Sequence, residues 1–142
     1  MATSKPLSLP DPCPVGRSLD LVGDRWSLLI VRDAFDGLSR FGDFQRNLGV
    51  ARNILSDRLG KLVDAGILQT RPASDGSAFQ EYVLTPRGKD LFAVVVALRQ
   101  WGENHLFEAG EAHSTLVHAR TGRAMPRMAP AIAADDAEVR KT

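Results

Sequence analysis

Residues 25 to 35, RWSLLIVRDAF, place apolar side chains around the circumference of a helix. Trp26, Leu28, Leu29, Ile30, Val31, Ala34 and Phe35 leave no broad polar face. Such a helix is stable in water when other elements cover it on several sides. The neighbouring segments must therefore supply that cover, and this helix is expected at the centre of the fold. Asp24 precedes it and suits an N-cap, while Asp36-Gly37 ends it.

The flanking periodicities fit this requirement. Pro14 opens a first helix with Val15, Leu19 and Val22 at helical spacing, broken by Gly23-Asp24. Ser39 to Leu48 reads as a short third helix with Phe41, Phe44 and Leu48 inward. Leu48-Gly49-Val50 is a tight turn. A fourth helix, Ala51 to Ala65, turns Ile54, Leu55, Leu59, Leu62 and Val63 inward and has Gly66 as its C-cap. Ile67 to Arg71 and Phe79 to Thr85 then read as strands joined through the turn cluster Ser74-Asp75-Gly76-Ser77. Pro86 stops the second strand and starts a long helix through about Phe107. The expected fold class is mainly α with a small antiparallel β-hairpin. Two short helices at a Gly-containing turn, followed by a hairpin, are the parts of a winged helix-turn-helix.

The domain expectation follows the same pattern. Residues 1 to 12 are polar with three prolines and read as a flexible N-terminal arm, 13 to 107 as the domain, and 108 to 142 as a C-terminal extension with a small hairpin and a disordered tail. No apolar run approaches the ~20 residues of a membrane span, and the first residues lack a signal-peptide stretch, so a cytoplasmic protein is the default.

Eighteen Lys and Arg against seventeen Asp and Glu give a net charge of +1, so a nucleic-acid case rests on where the charges sit. Between residues 40 and 61 stand five basic residues, Arg40, Arg46, Arg52, Arg58 and Lys61, against two acidic ones, Asp43 and Asp57. The outward face of the fourth helix shows Arg52, Asn53, Ser56, Asp57 and Lys61, with Arg58 beside them. The N-terminal part of a recognition helix meets base edges; Arg suits guanine O6/N7, Asn suits adenine N6/N7, and Ser bonds several partners. Arg71, Ser74 and Ser77 of the hairpin are candidates for phosphate contact. The alternative for the same face is a solvated helix surface.

The last helix carries Leu91, Val94, Val95, Leu98, Trp101 and Leu106, a stripe wider than its own subunit's core requires. With Val15 and Leu19 of the first helix it is the expected homodimer interface. A two-fold dimer would set two recognition helices about 34 Å apart on a pseudo-palindromic duplex. Cys13, the single cysteine, stands at the start of the first helix, where a helix N-terminus activates a thiol; it is a candidate redox sensor. Its disulfides can form only between subunits or with a small thiol. His105, His113 and His118 lack metal-site spacing, and phosphate-loop, dinucleotide, zinc-protease and serine-hydrolase signatures are missing. No enzyme, metal or cofactor is expected.

Three runs carry a family likeness: CPVGRSLDLVGDRWSLLIVRDAFDG, RFGDFQRNLGVARNILSDRLGKLVDAGIL and EYVLTPRGKDLFAVVVALRQWGE. Over roughly residues 13 to 107 the chain resembles the HxlR family of transcription regulators. The resemblance implies a winged helix, a homodimer on double-stranded DNA, and repression or dual regulation of adjacent genes. It also implies an oxidant or small-molecule effector, since some members sense oxidants through a cysteine at the place of Cys13. Apart from the resemblance, Trp26 and Trp101 read as core or interface residues, with an aromatic-lined effector pocket at the dimer interface as the alternative. The segment Leu116 to Arg123 resembles a small C-terminal hairpin of longer members, without the cysteines that often stand near Thr121. The wing departs from the family pattern: Ala73 to Phe79 has no proline pair and carries Asp75 near its tip, so a modest DNA contribution is expected from it. The alternative function is a winged-helix interaction module that has lost DNA binding.

Overall fold

A computed structural model describes residues 12 to 140, so the proposed N-terminal arm lies, apart from Pro12, outside the described residues. The elements are α1 (Pro14–Val22), α2 (Arg25–Phe35), α3 (Phe41–Leu48), α4 (Arg52–Asp64), β1 (Leu68–Pro72), β2 (Gln80–Leu84), α5 (Pro86–Lys89) and α6 (Phe92–His105). The strands pair antiparallel with Leu68 opposite Leu84, Thr70 opposite Tyr82 and Pro72 opposite Gln80. The Tyr82 N–H also donates to the Ser39 carbonyl at 2.7 Å, which fastens the hairpin to the segment entering α3. The mainly helical class with one antiparallel hairpin is thus observed.

The chain forms two compact units, Met1–Phe92 and Ala93–Thr142, of which residues 12–92 and 93–140 are described. In the first unit α2 packs against α1, α3, α4 and β2, which is the central placement its composition requires. Ile30 and Val31 of α2, Phe44 of α3, Leu55, Leu59 and Leu62 of α4, and Leu68 of β1 form the buried core. Burial on α2 differs from the all-apolar expectation. Two of its fully buried side chains are polar, Ser27 and Asp33, while Trp26, Leu28, Leu29, Ala34 and Phe35 stay half-buried. Both polar groups are hydrogen-bonded, which removes the cost of burying them. Asp33 accepts from Arg32 (Nε, 3.1 Å) and from Asn47 Nδ2 at 2.9 Å, tying α2 to α3. Ser27 Oγ donates to Asp24.

Asp24 does more than cap α2. Its Oδ2 accepts from the N–H groups of Trp26 and Ser27, each at 3.1 Å, and from Arg58 Nε of α4 at 2.9 Å. Burial pushes the Asp24 carboxyl up, but the bonds from Ser27 and Arg58 outweigh that effect and hold it below its ordinary value of 3.8. The hydrogen bond to Asp24 in turn raises the Arg58 guanidinium.

The long helix expected from Pro86 is instead two helices separated at Asp90-Leu91. Thr85 caps α5 by accepting from the Gly88 N–H at 3.0 Å. Gly88 is pressed onto the end of α4's following turn and β1: a Cβ there would lie 2.1 Å from the Ile67 carbonyl oxygen. The Leu91 N–H returns to the Gly88 carbonyl at 3.0 Å, three residues back, so the turn tightens and the helix is interrupted. In the second unit an isolated antiparallel bridge joins Val117 to Ala124. Beyond it, the buried Gln100 of α6 donates to the Pro126 carbonyl and accepts from the Met128 N–H, both at 2.8 Å. A 3-10 turn follows at Ala134–Asp136. Among the described residues no helix is long and apolar enough to cross a membrane.

Removing the Asp24 side chain takes away a helix cap and a charge-assisted bond. Asp24→Ala is expected to lower the unfolding free energy by about 2–3 kcal/mol, whereas Ala at the exposed Asp20 changes it by less than about 0.5. Urea unfolding followed by circular dichroism measures both. Because the folded Asp24 titrates below the unfolded group, its contribution is complete above about pH 4 and is lost as pH falls through the lowered value.

Candidate nucleic-acid interface

The segment that sets α3 against α4 is short. Gly49 ends α3 in the left-handed region, φ 63°, and its N–H closes the last turn on the Gln45 carbonyl at 2.9 Å. A side chain at that φ is strained, so glycine suits the turn. Val50 is buried behind it, and Ala51 starts α4 without a side-chain cap. The first N–H groups of α4 therefore have no capping oxygen from their own N-cap residue, the arrangement that favours an anion at a helix N-terminus.

Arg52, Asn53 and Ser56 are all exposed at this end of α4. The structure brings these three together as one polar face, with exposed Lys61 farther along the helix. The other basic candidates are engaged. Arg46 pairs with Asp43 one turn earlier in α3. Arg58 binds Asp24 and Asp57, and Lys61 Nζ lies 3.3 Å from Asp57. Arg52 differs: its guanidinium carbon lies over the Phe41 ring, 4.8 Å from the centroid.

The wing is tied internally. Arg40, at the N-cap of α3, pairs with Asp75 in the wing turn and lies 5.6 Å from the Phe79 ring centroid. Arg71 Nε donates to Glu81 at 3.2 Å, and Ser74 Oγ donates to the other Glu81 oxygen at 3.4 Å. Ser77 N–H donates to Asp75, and Ser77 Oγ accepts from the Phe79 N–H. Asp75 is thus a fastener, which supplies in another way the rigidity that a proline pair would give. The Ser77 backbone N–H, with Arg40 and the Ser77 side chain, holds the Asp75 carboxyl at about 2. The bond to Asp75 raises Arg40 correspondingly. Burial pushes Glu81 up, but the bonds from Arg71 and Ser74 hold it below its ordinary value.

Several of these partners were not among the sequence candidates: Glu81, Phe41 and Phe79. Glu81 had a signal, because a hairpin turning at Gly76 sets Arg71 directly opposite it. The ring contacts have none, since they depend on where α3 points. Elsewhere, Cys13 is exposed at the N-cap of α1, and its carbonyl accepts from the Arg17 N–H at 3.0 Å. Of the expected interface residues, Val15 and Leu19 on α1, and Val94, Leu98, Trp101 and Leu106, are exposed, whereas Leu91 and Val95 are half-buried. Inside the second unit a cavity of about 230 Å³ is lined by Val96, Arg99, Gln100, Glu103, Leu116 and Met125 among others, a mixed polar and apolar lining.

Two helices meeting at a tight glycine turn, the second with an exposed polar N-terminal face, and a fastened hairpin beyond it define a winged helix-turn-helix. The sequence pattern of the HxlR-like helix-turn-helix family matches residues 21–109, and the chain belongs to that family. The HTH-type transcriptional regulator Rv3095 of Mycobacterium tuberculosis is 52% identical over 92 residues, covering 65% of this chain and 58% of that protein. The chain thus spans less than two thirds of this relative's length. The HTH-type transcriptional regulator YtfH of Escherichia coli is 33% identical over 99 residues, covering 69% of this chain and 79% of that protein. A crystal structure of PA1607, described as a transcription factor, superposes with a TM-score of 0.87 at 48% identity over 92% of this chain and 96% of that one. The redox regulator HypR in its reduced form superposes with a TM-score of 0.59 at 29% identity over 65% of this chain and 92% of that one. The family is one of transcription regulators and not of enzymes.

The Asp75 shift has a pH consequence. Its stabilising contribution is fully present above pH 3.8 and is lost as pH falls through about 2. A carboxyl-detected NMR titration is expected to show Asp75 ionised at pH 3, and Arg40→Ala to move its midpoint upward. A wild-type midpoint near 4 would contradict the fastened wing.

Proposed function

We propose that the chain is a sequence-specific DNA-binding transcription regulator, a repressor or dual regulator of adjacent genes, that binds a pseudo-palindromic operator as a homodimer. The observation that carries this reading is the exposed Arg52, Asn53 and Ser56 face at the uncapped start of α4, held behind the Gly49 turn. In this reading α4 lies in the major groove, Arg52 takes a guanine edge, Asn53 an adenine edge, and the open N–H groups meet a phosphate. Arg46 and Lys61, both exposed, flank the groove as phosphate contacts; Arg40, Arg71, Ser74 and Ser77 support the wing and reach phosphate only from within their own network. Arg58 serves the interface by holding α4 to α2.

The homodimer is supported by the exposed apolar side chains of α1 and α6. α1 exposes Val15, Leu19 and Leu21, and α6 exposes Val94, Leu98 and Trp101; single exposed apolar side chains are ordinary, but several on one helix favour a covering partner. The relation to a redox regulator supports an oxidant as effector and Cys13 as the responding group. The second-unit cavity is the alternative place for a small-molecule effector. One observation favours the interaction-module reading instead: the basic side chains around α4 and the wing are largely neutralised by carboxylates within the chain.

Selection from a randomised duplex library at two salt concentrations tests the proposal. An enriched two-fold motif, weakened by added salt, is expected. Arg52→Ala should weaken the selected duplex by about 1–3 kcal/mol and relax one base position in each half-site. Leu98→Asp combined with Trp101→Asp should give a monomer by sedimentation and a large loss of affinity. Recovery of no preferred sequence would leave the interaction-module reading in its place.

A further inference from the structure

We infer that Phe41 is a positioning residue for base recognition: its ring holds the Arg52 guanidinium with the hydrogen-bonding edge open. The inference rests on α4 reading DNA as proposed above.

The contrast among the basic residues carries it. Among the described residues of the interface, Arg40, Arg46, Arg58, Lys61 and Arg71 each contact a carboxylate, from Asp75, Asp43, Asp24 with Asp57, Asp57, and Glu81 respectively. A carboxylate takes the N–H edge of a guanidinium, the same edge that a guanine or a phosphate would use. Arg52 is held in a different way, with its guanidinium carbon 4.8 Å from the Phe41 ring centroid. A ring attracts a guanidinium through its π face and offers no oxygen acceptor, so it does not take up N–H donors in the way a carboxylate does. Arg52 is thus restrained by a partner that is not an acceptor of the carboxylate kind, and its donors remain for a bidentate acceptor.

The geometry of the two helices makes the contact a consequence of the fold. Phe41 is the first residue of α3 and Arg52 the first residue of α4. The Gly49 turn joins the two helices, their first residues meet through side chains, and Phe41 is half-buried. A long side chain restricted before binding loses less freedom on binding, and a restricted direction discriminates between base edges more sharply than a free one. The expected gain is in discrimination at one base, without a change in the number of phosphates contacted.

The test uses the full chain and duplexes selected by it from a randomised library. Base preferences are compared for the wild type, Arg52→Ala, Arg52→Lys, Phe41→Leu, Phe41→Met and Phe41→Tyr. Arg52→Ala identifies the base position that depends on Arg52. Phe41→Leu and Phe41→Met are expected to reduce preference at that same position by about two- to five-fold, the worth of one exposed cation–ring contact. Phe41→Tyr, which keeps the ring, is expected to retain it, and the salt dependence of all three Phe41 variants should match the wild type. In the protein without DNA, the Arg52 Nε–H resonance should be displaced by the ring current and return toward the free-arginine position in Phe41→Leu. If Phe41→Leu does not fold, Phe41→Met and Phe41→Tyr still separate ring from bulk. Unchanged preference in the ringless variants, or a loss spread evenly over all positions, would overturn the inference while leaving DNA recognition by α4 intact. A wild-type chain that selects no sequence would overturn both.

Discussion

The carboxylate of Asp24 joins the centre of the fold to its exposed face. One oxygen accepts from two backbone N–H groups at the start of α2 and from Arg58 of α4. The first two bonds begin the helix around which the core forms. The third agrees with the rotation of α4 that burial of Leu55, Leu59 and Leu62 dictates, and fastens that face of the helix to the start of α2. With those positions fixed, Arg52, Asn53 and Ser56 have the remaining side of the helix, which is solvent. The surface presented by α4 is thus a consequence of what the opposite side must satisfy.

The wing follows a related logic with different parts. A short two-stranded ribbon is marginal by itself. Here it is anchored at two points: the Tyr82 N–H bonds the Ser39 carbonyl at the middle of β2, and Asp75 pairs with Arg40 at the turn. Arg71, Ser74 and the buried Glu81 close the space between. Both anchors land on the segment that leads into α3, so hairpin and helix pair are braced by the same few residues.

The fold was legible to the extent that it depends on periodicity and punctuation. Pro14, Asp24, Gly37, Gly49 and Gly66 mark helix starts and ends, and α2 spans the residues its pattern indicates. The interruption at Asp90-Leu91 was not legible, because the apolar stripe runs through it. At the break the Leu91 N–H bonds the Gly88 carbonyl three residues back, and Gly88 itself lies tight against the Ile67 carbonyl, a contact between separate parts of the chain. For the interface, the polar face of α4 could be read from spacing alone. The engagement of the arginines could not: a basic residue looks the same in sequence whether it faces solvent or a carboxylate 34 residues away, as Arg58 does. The burial of Ser27 and Asp33 was hidden for the same reason, since their partners Asp24 and Asn47 come from outside the helix.

The pairing of most interface cations with carboxylates of their own chain bears on how such a protein would search a genome. Attraction to any duplex grows with the number of counterions displaced, and a self-neutralised surface displaces few. Such a surface has a small reservoir of protein held on irrelevant sequence, and its residence there is short. On the proposed reading, more of the protein would stay free in solution, and occupancy of a preferred site would depend on base-edge contacts more than on bulk charge.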